Sequence, residues 1–246
     1  MNTPDSGTAV VTGSSSGIGM AVAQLFLQKG WRVYGLDKSP SDWPSISDAY
    51  HHITIDLERS KDLHGILNDI LFSDHVNALV NCAGVREITS IDDLSLEVWE
   101  SVNRINVTAP FILSSEFSRL IRDRSSFSSI VNIASVSGLL GEPNRTAYVT
   151  SKHALIGLTK QLAIEYGRFG INVNSISPGV IRTPLTESYY FDPEQLQRIR
   201  SGQFIKRGGC PNDVARLVEF LTSPNSDFIT GANYVIDGGW TAGKNI

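Results

Sequence analysis

Residues 8–30 read TAVVTGSSSGIGMAVAQLFLQKG, in which a short apolar run is followed by a glycine-rich turn and an amphipathic run. The apolar residues after the turn recur near helical spacing, so the stretch predicts a strand, a turn and a helix. Gly13 allows a tight turn, Gly17 lets backbone N–H groups approach an anion, and Gly19 lets the helix pack closely on the sheet. The stretch therefore predicts a cradle for a pyrophosphate group.

A carboxylate follows this cradle at the position that recognises a ribose. Residues 32–36 predict a second strand that ends in Asp37, about 20 residues beyond the last glycine. Such a carboxylate accepts hydrogen bonds from ribose hydroxyls and repels a 2′-phosphate, which favours NAD(H) over NADP(H). Lys38, the next residue, weakens that preference. The glycine turn by itself also fits a strand-to-helix corner that binds nothing, and Asp37 favours the nucleotide site.

Length, charge and cysteine content limit the classes of protein to which this chain can belong. The 246 residues fit one α/β domain with a substantial core, and we find no repeat or linker. The net charge of −4 and the scattered 21 Lys and Arg residues argue against a nucleic-acid partner. No run approaches the ~18 apolar residues of a membrane span and the N-terminus has no targeting pattern, so we expect a cytoplasmic protein without a membrane partner. Cys82 and Cys210 are expected to be reduced thiols, with no disulfide and no metal site.

The middle of the chain supplies further strand ends. Residues 38–50 predict a loop where a crossover helix would be usual. A strand at 52–55 then ends at Asp56 and Leu57, where Asp56 either contacts an adenine amino group or is an ordinary solvated acid. After the strand 78–80, the small residues of 81–84 let the chain pass close under a ligand.

Three polar features and a cysteine are interpreted individually. Asn81 can tie neighbouring strands together, and Cys82 is read as a small buried filler rather than a reactive thiol. Helical spacing from 94 to 123 has a break near Asn106, where an amide has poor helix propensity, which predicts a local distortion. The strand at 130–135 is apolar without alternation, as in a central parallel strand, and it carries Ser135 to the carboxyl end of the sheet.

Tyr148 and Lys152 share one face of a predicted helix that runs to about residue 169, because they are four residues apart. Such a pair is common by itself, and it gains weight from Ser135 and from the nucleotide site upstream. The strand at 171–177 ends in Pro178 and Gly179, where backbone donors and the Thr183 hydroxyl would lie beside a ligand. A helix at 211–221 and a last strand at 233–236 complete the pattern.

Residues 185–207 are less regular and include a charged helix at 193–200. They predict a mobile substrate lid, with an ordinary surface excursion as the alternative.

The motifs in this order resemble the short-chain dehydrogenase/reductase family over nearly the whole chain. They are Thr12-Gly13-x3-Gly17-Ile18-Gly19, Asn81-x-Ala83-Gly84, Asn106, Ser135, Tyr148-x3-Lys152, Pro178-Gly179 and Ile229-Thr230-Gly231 through Asp237-Gly238-Gly239. The resemblance implies an α/β Rossmann fold of one domain, residues 1–246, with a doubly wound sheet of seven parallel strands in the order 3-2-1-4-5-6-7, helices on both faces, and a homotetramer. Two departures are Cys82 in place of a common asparagine and the loop after Asp37.

The resemblance also implies a reaction and a cofactor, NAD. Tyr148 would be the general acid/base between a secondary alcohol and its ketone, and Lys152 would favour its phenolate and hold the nicotinamide ribose. Ser135 would orient the substrate oxygen, and Asn106 would anchor a water in a proton relay. The expected cofactor-binding residues are Gly13, Ser15, Ser16, Gly17, Ile18, Gly19, Asp37, Asp56, Leu57, Asn81, Ala83, Gly84, Tyr148, Lys152, Pro178, Gly179, Ile181 and Thr183.

The substrate is less specified by the sequence. The expected substrate-binding residues are Ser135, Val136, Ser137, Asn144, Tyr148 and Tyr189, with Leu139, Tyr190 and Phe191 nearby in the chain. The aromatic lid favours a partly apolar or cyclic alcohol, as in bacterial dihydrodiol and cyclic alcohol dehydrogenases of this family. Arg86 is read as an exposed loop arginine rather than as the partner of a carboxylate.

Two alternatives remain open. The first is an NADPH-dependent 3-oxoacyl thioester reductase, for which only Lys38 supplies the basic residue that NADPH would need. The second is a noncatalytic dinucleotide-binding sensor or scaffold. Such proteins typically lack the tyrosine or the lysine, whereas this chain has both.

Overall fold

The computed structural model describes residues 7–41, 48–59, 63–124 and 126–243, which form one seven-stranded sheet in the order β3-β2-β1-β4-β5-β6-β7. Its strands are β1 (Thr8–Thr12), β2 (Arg32–Asp37), β3 (Tyr50–Thr54), β4 (Ala78–Asn81), β5 (Ser128–Ile133), β6 (Ile171–Pro178) and β7 (Asn233–Ile236). Every neighbouring pair is parallel. The doubly wound sheet and its strand order are therefore confirmed.

Helices cover both faces of the sheet. They are α1 (Gly17–Gln28), α2 (Leu63–Ser73), α3 (Leu96–Asn103), α4 (Ala109–Ile121), α5 (Thr146–Tyr166), α6 (Glu187–Phe191), α7 (Pro193–Gly202) and α8 (Pro211–Leu221). Strand β1 is buried throughout, and its alternate side chains point to opposite faces. Val10 packs with residues of α2, α4 and α5, whereas Ala9 and Val11 pack with residues of α1 and α8.

The glycine turn after β1 brings the chain into close contact with β4. Gly13 has a φ of +68°, a left-handed conformation that side chains disfavour, and a Cβ there would lie 2.9 Å from the Cα of Ala83. A Cβ on Gly19 would lie 2.2 Å from the Gly13 carbonyl oxygen. Glycine is therefore required at both positions for the helix to begin so close to the strand.

The helical segment 96–121 contains the distortion that the sequence predicts near Asn106. Residues Arg104–Thr108 form a π-helical turn between α3 and α4. The Asn106 side chain is completely buried, and its amide accepts a hydrogen bond from the Val85 N–H (2.9 Å) and donates one to the Val85 carbonyl (2.8 Å). The wide turn thus places an amide against the loop after β4.

Several predicted boundaries shift by a few residues. Strand β3 begins at Tyr50 rather than His52, and α5 begins two residues before Tyr148. Strand β5 ends at Ile133, because Ser135 already caps a short 3-10 turn by accepting a hydrogen bond from the Ser137 N–H (3.1 Å). In the predicted loop 38–50, residues 38–41 and 48–49 lie outside helices and strands, and 42–47 lie outside the described residues.

Within the described ranges, the helices lack the combination of length and apolarity that a membrane span needs. In the same ranges, no three His, Cys, Asp or Glu side chains converge where a metal ion could bind.

Candidate active site

A cleft runs along the carboxyl ends of the central strands. The predicted cofactor residues that line it are Gly13, Ser16, Gly17, Ile18, Gly19, Asp37, Asp56, Leu57, Ala83, Gly84 and Thr183. The order of the strands reverses between β1 and β4, and open α/β sheets bind ligands in the crevice at such a switch point. The cleft therefore has the position of a dinucleotide site.

The N-terminus of α1 opens onto this cleft. Ser16 is its N-cap residue, in an extended conformation, and the Ser16 side chain makes no capping hydrogen bond. The first N–H groups of a helix have no partner within the helix, and the helix dipole adds positive charge there. The uncapped turn therefore fits a pyrophosphate, which would satisfy these donors.

Asp37 is held in place at the wall of the cleft by two backbone N–H groups. Its Oδ2 accepts from Ser15 (3.0 Å) and its Oδ1 accepts from Ser39 (2.9 Å). Each carboxylate oxygen has a second acceptor position, so the group can still bind ribose hydroxyls. Ser15 itself does not line the cleft, and its N–H positions Asp37 instead. Lys38 lines the same cleft and is exposed.

A smaller cavity adjoins the cleft and contains the predicted proton-transfer residues. Ser135, Tyr148 and Lys152 line it together. The other predicted residues on its wall are Gly84, Pro178, Gly179, Ile181, Thr183 and Ile18. Gly84, Ile18 and Thr183 line both spaces, so the structure brings the predicted catalytic groups next to the predicted cofactor cleft.

Burial changes the acidity of the two central groups in opposite directions. Lys152 Nζ donates to the Ile133 carbonyl (2.8 Å), and burial lowers the pKa of Lys152 from 10.5 to about 8. Burial also raises the pKa of the Tyr148 phenol, while a hydrogen bond with Ser135 acts to lower it. The tyrosine is therefore a neutral acid at pH 7 in this state, with the ammonium 5.7 Å from the centre of its ring.

Asn106 connects the loop after β4 to helix α5. Besides its bonds to Val85, its amide donates to the Ser151 hydroxyl (3.0 Å), one residue before Lys152. Asn106 lines neither cavity, and its role in a proton relay stays a prediction.

Some predicted residues lie away from both cavities. Asn81 is buried and donates to Asn132 Oδ1 (2.8 Å) and to the Ser114 hydroxyl (3.0 Å), so its amide ties β4 to its neighbours rather than facing the cofactor cleft. Asn144 is exposed in a turn with a φ of +59°. Of the substrate set, Val136, Ser137 and Tyr189 also lie off the cavity walls, and the Ser137 hydroxyl donates to Glu142 (3.0 Å).

Cys82 lines both spaces and is only partly buried as a residue. Desolvation of its thiol nevertheless raises the pKa to about 12. The thiol is therefore protonated at neutral pH, in agreement with its interpretation as an unreactive filler.

Arg86 corrects a sequence prediction. Its side chain is half-buried rather than freely exposed, because it folds over the ring of Tyr189 at 4.5 Å from the ring centre. Its Nη1 donates to the Tyr189 hydroxyl (2.7 Å). Arg145, which the sequence analysis missed, is buried, donates to the same hydroxyl, and donates from Nη1 to the Glu87 carbonyl (2.6 Å).

Glu87 is a second residue that the sequence analysis missed. It is buried, and its Oε1 accepts from the Ala147 N–H (2.7 Å) while its Oε2 accepts from the Tyr148 N–H (3.0 Å). The carboxylate therefore caps the N-terminus of α5, the helix that carries Tyr148. No local pattern signals this role, because the cap comes from a loop about 60 positions away in the chain.

Known proteins match this chain over nearly its full length. A family model described as enoyl-(acyl carrier protein) reductase matches residues 13–241. The cyclopentanol dehydrogenase of Comamonas sp. (strain NCIMB 9872) is 32% identical over 241 residues, or 95% of this chain and 96% of that protein.

Two solved structures superpose closely on this chain. The structure of 4-hydroxyisoleucine dehydrogenase complexed with NADH has a TM-score of 0.93 at 45% identity and covers 97% of this chain and 100% of that one. The structure of a putative NAD(P) dependent gluconate 5-dehydrogenase from Beutenbergia cavernae, with bound NADP at low occupancy, has a TM-score of 0.91 at 30% identity and covers 96% and 97%.

Proposed function

The chain belongs to the short-chain dehydrogenase/reductase family and is an oxidoreductase of alcohol groups that uses a nicotinamide dinucleotide; on that premise we propose that it interconverts a secondary alcohol and its ketone with NAD(H). The observation that carries the proposal is the meeting of Ser135, Tyr148 and Lys152 on one cavity beside the dinucleotide cleft. A binding protein without turnover would not need this arrangement.

Tyr148 is the general acid/base of the proposed reaction. When bound, the nicotinamide ring exchanges a hydride with the substrate carbon. The Tyr148 phenolate takes the proton of the alcohol during oxidation, and the resulting phenol returns it to the carbonyl oxygen during reduction. The Ser135 hydroxyl hydrogen-bonds to the same substrate oxygen. Lys152 is mostly protonated at pH 7, because its pKa is about 8, and its positive charge favours the phenolate.

The position of Asp37 supports NAD(H) as the cofactor. Its carboxylate is fixed on the cleft wall by the Ser15 and Ser39 N–H groups, so a 2′-phosphate on the adenosine ribose would meet a fixed negative charge. Lys38 on the same wall supports NADP(H) as the alternative, and one similar structure carries NADP.

Two substrate classes follow from the relatives. The cyclopentanol dehydrogenase supports a cyclic, partly apolar alcohol. The 4-hydroxyisoleucine dehydrogenase, with its higher identity of 45%, supports a hydroxy acid, and the half-buried Arg86 favours this second class. A 3-oxoacyl thioester reductase is retained as an alternative because the matching family model is described as an acyl carrier protein reductase.

The proposal extends to assembly and to the lid. We propose a cytoplasmic homotetramer, as the family resemblance implies, and a substrate lid formed by residues 185–207. Within this range, the Tyr189 hydroxyl accepts a hydrogen bond from Arg86 in the loop after β4, which supports the lid. Light scattering coupled to size-exclusion chromatography measures the assembly.

Replacing Tyr148 with Phe tests the reaction. The variant lacks the proton-transfer hydroxyl, so we expect kcat to fall by about 10²–10⁴-fold with any alcohol that the wild type oxidises. Calorimetric NADH affinity is expected to stay within about 2-fold, since general acid/base catalysis does not contribute to cofactor binding. Wild-type turnover in the variant would remove Tyr148 from the mechanism.

Replacing Asp37 with Ala tests the cofactor. Hydrogen bonds to charged groups contribute about 1.5–3 kcal/mol, so we expect NADH to bind about 10–100-fold more weakly while NADPH binding is unchanged or tighter. Lys38→Ala is the matched control and should leave NADH affinity nearly unchanged. Tighter binding of NADPH than of NADH by the wild type would contradict the assignment.

A further inference from the structure

Two arginines converge on one phenol at the edge of the active site. Arg86 and Arg145, here called the arginine pair, both donate to the hydroxyl of Tyr189. Arg145 is buried, with a relative exposure of 8%, and Arg86 is half-buried and stacked on the Tyr189 ring. A neutral phenol oxygen is thus shared by two cations.

The arginine pair has one partly exposed carboxylate, Glu142, as its compensating negative charge. Among the described residues, no carboxylate oxygen lies within 4.0 Å of an Arg86 nitrogen, which is the limit for an ion pair. Glu142 lies 3.8 Å from Arg145 Nε, but its side chain is 47% exposed, which screens the interaction. The Glu87 carboxylate is already engaged by the N–H groups of Ala147 and Tyr148.

Partial burial without a counter-ion is unfavourable for a guanidinium. Burial lowers the pKa of Arg86 and the positive charge of Arg145 lowers it further, whereas Tyr189, Tyr148 and Glu142 act to raise it, and the net change is a lowering. A guanidinium stays protonated in proteins, so the cost remains in the ligand-free state until an anion offsets it. Of the five N–H donors of Arg86, one hydrogen-bonds to another described residue, the Tyr189 hydroxyl.

The pair lies near the Tyr148 phenol, and neither arginine lines the two cavities. Arg86 follows Val85, which lines the cofactor cleft, and Arg145 precedes Tyr148 by three residues. Tyr189 lies four residues after Leu185, which lines both cavities. The charges of both arginines also act on the acidity of the Tyr148 phenol, so they are close to the reacting group.

We propose that Arg86 and Arg145 bind a carboxylate of the substrate, and that the enzyme therefore acts on secondary hydroxy acids rather than on neutral cyclic alcohols. This inference rests on the proposed function. The planar fork of a guanidinium matches a carboxylate, and hydrogen bonds between two ionised groups are stronger than the bonds that the two arginines now donate to the Tyr189 hydroxyl. The carboxylate takes the acceptor position that the Tyr189 hydroxyl now has, and it neutralises the repulsion between the two cations.

Kinetics with matched substrates test the proposal. The substrates are 3-hydroxybutanoate, 4-hydroxypentanoate and 5-hydroxyhexanoate, each compared with its neutral amide in the presence of NAD. For the best chain length we expect kcat/KM to favour the acid over its amide by about 10–100-fold. Arg86→Met is expected to abolish this preference, and Arg86→Lys to retain part of it, because lysine keeps the charge but not the fork.

The matched control is Arg122→Met, which removes an exposed arginine at the end of α4. It should leave the preference for the acid unchanged. Equal losses for acid and amide in Arg86→Met would mean that Arg86 only supports the structure, and would overturn the proposal. Equal kcat/KM for acid and amide in the wild type would overturn it as well.

A binding measurement separates this inference from the proposed function. Pentanoate and pentanamide, which cannot react, are titrated by calorimetry into the complex of the protein with NADH. We expect pentanoate to bind more tightly than pentanamide, and Arg86→Met to lose the difference while NADH affinity stays the same. Arg86-dependent pentanoate binding without oxidation of any alcohol would refute the function and keep the carboxylate site. Oxidation without any preference for an acid would refute the site and keep the function.

Discussion

Glu87→Gln tests whether a buried carboxylate from a distant loop secures the helix that carries Tyr148. In the wild type the two carboxylate oxygens accept hydrogen bonds from the N–H groups of Ala147 and Tyr148. Glutamine has nearly the same shape but offers one oxygen and one NH₂ group. With the amide oxygen at the Oε1 position, the Tyr148 N–H loses its shorter bond (3.0 Å) and keeps only the longer one to Oε1 (3.2 Å), and the helix loses a negative charge at its N-terminus.

The size of the effect follows from these two losses. A buried donor without a partner costs about 1–3 kcal/mol. A charge at a helix N-terminus contributes up to about 2 kcal/mol when it is partly buried. Together we expect the free energy of unfolding to fall by about 1–5 kcal/mol, which lowers Tm by roughly 2–20 °C for a domain of this size.

Urea denaturation at one protein concentration measures the change, since the stability of an assembling protein depends on concentration. The matched control is Glu97→Gln, which makes the same substitution in the first turn of α3 at an exposed position. Its expected loss is clearly smaller than that of Glu87→Gln, because solvent screens an exposed charge. Equal losses in the two variants would refute the cap argument. A gain of stability in Glu87→Gln would show that the cost of burying the charge exceeds the value of its hydrogen bonds.

Two further predictions concern the glycine turn and the buried lysine. Gly19→Ala brings a Cβ to 2.2 Å from the Gly13 carbonyl oxygen and should abolish NADH binding measurable by calorimetry. The control is Gly65→Ala on α2, where a Cβ would meet no atom within 4 Å, and it should stabilise the protein by about 0.4–1 kcal/mol. Equal effects of the two variants on NADH binding would contradict the argument. Because the pKa of Lys152 falls from 10.5 to about 8, the unfolded chain binds more protons between these pH values, so this residue makes stability rise with pH in that window. Urea denaturation of the ligand-free protein at pH 8, 9 and 10 should show a rise of up to about 1.4 kcal/mol per pH unit that Lys152→Met lacks, and parallel curves would refute it.

Elements bounded by strong local signals were predictable from the sequence. The predicted helix at 211–221 and strand at 233–236 both match the structure to the residue. Pro211 is at the start of the helix, where an N–H has no partner within the helix and its absence costs nothing. Gly231 has a positive φ, which places a turn shortly before the strand. The order of the strands in the sheet came from the family resemblance, because local patterns do not specify which parallel strands become neighbours.

Residues whose role depends on distant contacts were not predictable. Arg145 and Glu87 are charged, and charged side chains are mostly exposed, so a sequence pattern gives no reason to bury them. They meet because the loop after β4 pairs with the start of α5 through the bridge between Thr89 and Arg145. The same pairing explains Arg86, which the sequence assigns to solvent and which the structure folds over Tyr189.

The distortion near Asn106 was predictable in place but not in kind. A poorly helix-forming amide within a helical pattern indicates a break, and the break is a π-helical turn at Arg104–Thr108. The π-helical form depends on the burial of the amide against Val85 and Ser151, and these contacts are again distant in the chain.

This wide turn makes the chain intolerant of a length change at that place. Deleting one residue from 104–108 would convert the wide turn into a regular α-helical turn of about 3.6 residues, and the side chains of that turn would be redirected. The amide of Asn106 would then leave Val85 and Ser151, which it now joins. A deletion that makes the helix more regular would thus remove one of the links between the loop carrying Arg86 and the helix carrying Tyr148, so variants selected only for thermal stability can weaken the active site at this turn.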